Sequence, residues 1–242
     1  MYAFLNELNE PGVKIITLED PIEYKLEGIQ QTPIDYRIDF SFAKGLRAIL
    51  RQDPDIVMVG EIRDAETAET ALQAALTGHV VLSTLHTNDS SGAVPRLNTM
   101  GIKPFIIAPA VNAIIAQRLV RRLCEACRKP IELDAALKKH VDDVLAEMAP
   151  AAKSLIPNPL QFFHSAGCAE CHNLGYKGRI GIYEVMEIND PMKELILKEA
   201  SGRQMKDQAY TDGMVTMIQD GILKAAEGIT DVEEVFRVAG DS

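Results

Sequence analysis

Apolar residues fall into two rhythms along the first half of the chain. Val13 to Leu18 (VKIITL) is a short, mostly apolar run that ends in carboxylates, the signature of a buried strand. Residues 41–52 change to helical spacing. Ser41 can cap the amino end, Phe42, Leu46, Ile49 and Leu50 share a face, and Lys44, Arg47 and Arg51 line the other. Asp53-Pro54 then breaks the helix, and Ile56 to Val59 forms a second apolar strand ending at Gly60-Glu61. Asp64 is placed to cap a further helix with an Ala68, Leu72, Ala75, Leu76 stripe that stops at Gly78, and Val80 to Leu85 is a third strand. Strands without alternation, separated by amphipathic helices, predict a parallel sheet covered on both faces.

The pattern changes after Leu123. Residues 124–183 contain two Cys-x-x-Cys pairs, an acidic amphipathic stretch (132–149) and a glycine-rich segment, GYKGRIGIYE, whose GYKGRIG reads as a turn-rich hairpin. From Asp190 onward the spacing is helical: Asp190-Pro191 opens one helix, and Thr230 with Glu233 forms a capping box for the last. The expected organisation is a parallel α/β core over 1–123, a small metal-held insertion over 124–183 and a helical region over 184–242.

Composition narrows the function classes. The 242 residues are 47% hydrophobic, enough for a real core, and the formal net charge of −10 disfavours non-specific attraction to nucleic-acid phosphate. No apolar run reaches the roughly 18–20 residues of a membrane span, and MYAFLNELNEPG lacks the parts of a secretory signal, so a cytosolic location is expected. In a reducing compartment, two Cys-x-x-Cys pairs favour metal over disulfides. Cys124, Cys127, Cys168 and Cys171 can wrap one tetrahedral Zn²⁺ in a closed structural site. The competing readings, free core cysteines or a redox pair, need only one such motif.

Three polar clusters sit at predicted strand ends, where open parallel sheets bind ligands: Glu19-Asp20-Pro21-Ile22-Glu23, Gly60-Glu61-Ile62-Arg63-Asp64 and His86-Thr87-Asn88-Asp89. A carboxylate just past an apolar strand is how phosphate-transfer enzymes place a Mg²⁺ ligand or a residue that orients water. It is also an ordinary helix cap, and only the convergence of three such ends favours the functional reading.

TLEDPIEY, ILRQDPDIVMVGEIRD and LTGHVVLSTLHTND resemble the Asp box, Walker B motif and His box of the type II secretion and type IV pilus ATPases. The resemblance continues through QRLVRRLC, both cysteine pairs, GYKGRIGIYEV and GITDVEEV. It implies a RecA-like fold, a homo-hexamer that hydrolyses Mg-ATP at subunit interfaces, and inner-membrane platform partners that keep the protein peripheral to the membrane on its cytoplasmic side. Position by position, Glu61 matches the catalytic glutamate, and Glu19, Asp20 and Glu23 match the Asp box that shares Mg²⁺ organisation. His86 matches the His-box residue near the γ-phosphate, so Glu61, Glu23 and His86 are the expected nucleotide contacts. Arg37, and Arg118 or Arg121, are the arginines expected to reach a neighbouring subunit's phosphate. His79 reads equally as a satisfied core histidine. The four cysteines favour an assembly or secretion motor over a retraction motor.

One departure qualifies the resemblance. A phosphate loop needs Gly-x-x-x-x-Gly-Lys-Ser/Thr, and none of the 16 glycines precedes a lysine. These residues by themselves are therefore expected to lack hydrolysis, as a motor's carboxyl-terminal portion would. The alternative is a non-catalytic paralogue that binds a partner or enters hexamers. A zinc-dependent nucleic-acid binder is disfavoured by the acidic balance and the lack of stacking aromatics near the cysteines.

Overall fold

Strand β1 (Ile15–Glu19) is buried along its whole length, as its unalternating sequence requires. The computed structural model describes residues 1–240. In it β1 lies between β2 (Gln30–Pro33) and β3 (Ile56–Ile62), with β4 (Val80–Leu85) beyond β3, and all three pairings are parallel. Successive side chains point to opposite faces, so each face needs a cover. On one, Ile16, Leu18, Val57 and Val59 pack with Phe42, Leu46 and Ile49 of α2 (Phe42–Ile49) and Ala71 of α3 (Ala65–Leu76). On the other, Ile15, Ile56 and Met58 pack with Leu5 of α1 (Tyr2–Leu8) and with Leu26 and Ile29. Gly45 allows α2 to lie close to the sheet, since a Cβ there would come within 2.8 Å of Leu18 Cδ2.

The predicted caps are present. The Ser41 side chain accepts from the Lys44 N–H, and Asp64 accepts from the Thr67 N–H at 2.7 Å. Each such cap is worth about 1 kcal/mol. The helix expected over 41–52 is α2 followed by a 3-10 turn, Leu50–Gln52, which ends where Asp53 turns left-handed (φ 56). β4 is less covered than expected: Val80 is 48% exposed, because β4 is an edge strand of the sheet.

The chain divides into two compact units. The first holds this sheet with Met1–Thr87, Gly92–Asn112 and Ile188–Gly202, including α4 (Ala93–Thr99), α5 (Pro104–Ala110) and α7 (Asp190–Leu197). The second holds Asn88–Ser91, Ala113–Glu187 and the described residues from Arg203. Its framework is the antiparallel pair β5 (Ala113–Leu123) and β8 (Tyr176–Glu187), with a shorter pair, β6 (Arg128–Ile131) and β7 (Phe162–Ser165). Around these pack α6 (Ala135–Ala146), α9 (Met217–Ala226) and α10 (Val232–Ala239), and the same unit takes in α8 (Gly202–Thr211) from Arg203 onward. The result is a mixed α/β protein with a parallel sheet, a four-cysteine cluster and a helical carboxyl-terminal region. Among the described residues no helix is long and apolar enough to cross a membrane.

Two local expectations change. GYKGRIGIYE is no hairpin but most of the continuous strand β8, whose glycines suggested turns while its backbone pairs with β5. The last helix is capped by Asp231, which accepts from the Glu234 N–H, while the Thr230 hydroxyl donates instead to the Arg121 carbonyl at 2.8 Å.

Candidate functional site

Strand β3 carries an irregularity where it matters. Val59 pairs with Ser83 and Ile62 with Leu85, so β3 has one extra residue, a bulge at Gly60-Glu61. Bulges re-aim side chains. This one sits where a larger residue would crowd: a Cβ on Gly60 would come 3.1 Å from the Leu18 carbonyl oxygen. The Thr84 hydroxyl pins the bulge by donating to the Gly60 carbonyl at 2.7 Å.

Glu61 thereby reaches a cavity of about 440 Å³ whose lining includes Tyr2, Asp20, Glu23, Phe42 and His86. Arg63 Nε donates to Glu61 Oε2 at 2.6 Å, and His86 Nε2 lies 3.1 Å from the same oxygen. Both contacts use Oε2, so neither engages Oε1. Burial acts to raise the Glu61 pKa, but the hydrogen bonds from Arg63 and His86 outweigh it and hold the carboxyl below its ordinary range. The group is a carboxylate at neutral pH and a weak proton acceptor.

The Asp-box carboxylates divide by environment. Asp20 and Glu23 are exposed and line the cavity. Glu19 also lines the cavity but is only 3% exposed and already satisfied: Tyr2 donates to Oε2, while Thr17 Oγ1 at 2.5 Å and Gln31 Nε2 at 3.0 Å contact Oε1. Asp20, Glu23 and Glu61 supply the hard oxygen donors that suit a divalent cation. Sequence reasoning singled out neither Tyr2 nor Gln31. Each is an ordinary residue in its own element, and only the sheet brings it to Glu19.

The other singled-out residues lie apart. His79 Nδ1 is 3.0 Å from the Ala74 carbonyl at the end of α3, a satisfied position that does not line the cavity. Arg37 is highly exposed and makes a two-point contact with Asp35. In the second unit, Arg118 is exposed, its Nη2 3.4 Å from the Asn88 carbonyl. Arg121 is tied down, donating from both backbone and side chain to the buried Glu234, which Arg237 also grips.

The cysteine cluster is complete. Cys124, Cys127, Cys168 and Cys171 place their sulfurs within 4.8 Å of one another. The Cys124–Cys168, Cys127–Cys171 and Cys168–Cys171 separations are 3.8, 3.9 and 3.8 Å. A tetrahedral ion with bonds of about 2.3 Å requires sulfur separations of about 3.8 Å, so the thiols fit zinc and are too far apart for disulfides. Burial opposes ionisation of both buried thiols. Cys124 is pushed up to about 11, whereas the Cys168 and Gly175 N–H groups overcome burial at Cys171 and bring it to about 6.

Residues 1–237 match a family described as Type II/IV secretion system protein. The type II secretion system protein E of Pseudomonas aeruginosa is 51% identical over 238 residues, 98% of this chain and 45% of that protein. The type IV pilus assembly ATPase PilB of Myxococcus xanthus is 46% identical over 235 residues, 97% of this chain and 40% of that protein. Among solved structures, the pilus retraction motor PilT with bound ADP superposes with a TM-score of 0.65 at 25% identity, covering 98% of this chain and 55% of that one. The chain spans about half the length of the curated relatives it matches.

Proposed function

Because this chain belongs to the Type II/IV secretion system protein family, we propose that it is the carboxyl-terminal ATPase portion of a hexameric motor for protein secretion or pilus assembly. The observation that supports this most is the bulge that aims Glu61 into a cavity rimmed by Asp20, Glu23 and His86. Glu61 orients the attacking water through Oε1, while Arg63 and His86 fix its Oε2 and keep it charged. With its pKa held low, it acts by position and field rather than by taking a proton early, in keeping with the loose transition state of phosphoryl transfer. Asp20 and Glu23, with Glu61, would hold Mg²⁺, which neutralises triphosphate charge when bound. His86 lies beside the γ-phosphate position. Arg37 and Arg118 are assigned to a neighbouring subunit's nucleotide, a role that their exposure permits.

The four cysteines hold a structural Zn²⁺, since a closed tetrathiolate leaves no position for substrate. Membrane-platform partners would keep the motor at the cytoplasmic face of the inner membrane.

A protein extended upstream to include a phosphate loop tests the assignment. Glu61→Gln should retain ATP binding and lose about 10²–10⁴-fold in turnover. Turnover at the parent rate would reduce Glu61 to a strand-end residue. Arg37→Ala should also slow turnover, and mixing it with Glu61→Gln chains should partly restore activity if Arg37 serves its neighbour.

A further inference from the structure

The Tyr2 hydroxyl is the centre of a partly buried hydrogen-bond cluster that the hydrolytic reading does not use. It donates to Glu19 Oε2 and accepts from the Glu23 N–H and from Gln31 Nε2, each at 3.3 Å. Gln31 extends the cluster: its Nε2 reaches the Tyr24 carbonyl at 3.1 Å, and its Oε1 accepts the Leu26 N–H at 2.8 Å. The Tyr24 ring meets the Tyr2 ring edge-on, with centroids 4.6 Å apart. The backbone of the loop after β1 is thus held at residues 23, 24 and 26 by two side chains from outside it. That loop presents Asp20 and Glu23 to the cavity.

A buried carboxylate must be satisfied by donors, and Glu19 has three. Its demand keeps the Tyr2 hydroxyl pointed as a donor and leaves that oxygen's lone pairs for the Glu23 amide. Burial first, and then the hydrogen bond to Glu19, raises the Tyr2 pKa, so the phenol stays protonated. Such linked hydrogen bonds reinforce one another.

We propose that Tyr2 is a positioning residue: through Glu19 and Gln31 it ties helix α1 to the Asp20–Glu23 loop and sets where the loop's carboxylates stand, with Glu19 as its anchor rather than as an ion ligand. The inference deepens, and its metal-binding arm rests on, the reading of the cavity as a divalent-cation site.

The test uses this chain with Tyr2→Phe, which keeps the ring against Tyr24 and removes only the hydroxyl. Hydrogen exchange over residues 20–26 should rise about tenfold, the worth of one hydrogen bond. Mn²⁺ affinity, followed by water proton relaxation, should fall about tenfold, as when an outer partner of a metal ligand is lost. Glu19→Gln should loosen the same segment, and the double variant should match either single one rather than add to it. Unchanged exchange at 20–26 in Tyr2→Phe would overturn the inference, since a packing role leaves Phe like Tyr. Additive effects on exchange would overturn the action through Glu19. If the parent binds no Mn²⁺, the cation-site reading fails, while the exchange result still decides the role of Tyr2.

Discussion

His86 Nε2 stands 3.1 Å from Glu61 Oε2, although 25 positions separate the two residues in sequence. Adjacent parallel strands bring them together, and the bulge in β3 turns Glu61 to meet the histidine. Burial acts to raise the Glu61 pKa, and Arg63 together with His86 outweighs it, so the carboxyl is held below its ordinary range.

That relationship predicts a pH effect. Only ionised Glu61 orients water, so the acid limb of the pH–rate profile of a phosphate-loop-containing protein should lie below the ordinary carboxylate range. Removing both partners, in His86→Ala with Arg63→Ala, leaves burial unopposed and should move the limb upward. His86→Ala alone, which removes a partner that orients Glu61, should cost about 10–100-fold in turnover. An unmoved limb would show that another group sets it.

The present 242 residues should give a flat calorimetric titration with Mg-ATP. Most triphosphate affinity in phosphate-loop enzymes comes from loop amides and a lysine. Without them, Asp20, Glu23 and Glu61 repel a polyanion. Micromolar binding would reveal a phosphate site elsewhere.

Metal analysis should return one zinc per chain. Structural zinc sites contribute about 10–16 kcal/mol in small peptides. Cys124→Ser or Cys168→Ser should therefore raise hydrogen exchange across residues 124–183 and leave the parallel sheet protected. Four reduced thiols with no zinc, in protein never exposed to chelator, would remove the assignment.

Glu234 offers a stability prediction. It is 1% exposed; burial raises its pKa, but Arg237 and Arg121 outweigh this and bring it to about 2. A pKa lowered on folding stabilises above the unfolded value of 4.5. That stability is lost as pH falls from there through about 2. The gap between parent and Glu234→Gln in unfolding free energy, from urea titrations, should be on the order of 3 kcal/mol at pH 7. It should shrink steadily below pH 4.5. A gap constant with pH would mean that the loss comes from packing alone.

The sequence by itself determined whatever is local or periodic. The buried runs Ile15–Leu18 and Ile56–Val59, the caps Ser41 and Asp64 and the helix at Asp190-Pro191 were all legible, because propensity, capping and solvent exclusion act within a few residues. The ordered motifs were enough to identify the family. Tertiary structure decided the rest. GYKGRIGIYE looks like a turn until β5 lies beside it, and Arg121 looks free until Glu234 of α10 folds against it. Glu19, Asp20 and Glu23 are nearly equivalent as letters and all line the cavity, yet Glu19 is buried against Tyr2, Thr17 and Gln31 while the other two are exposed. Which carboxylate is satisfied and which is exposed depends on partners distant in sequence, and only the fold supplies them.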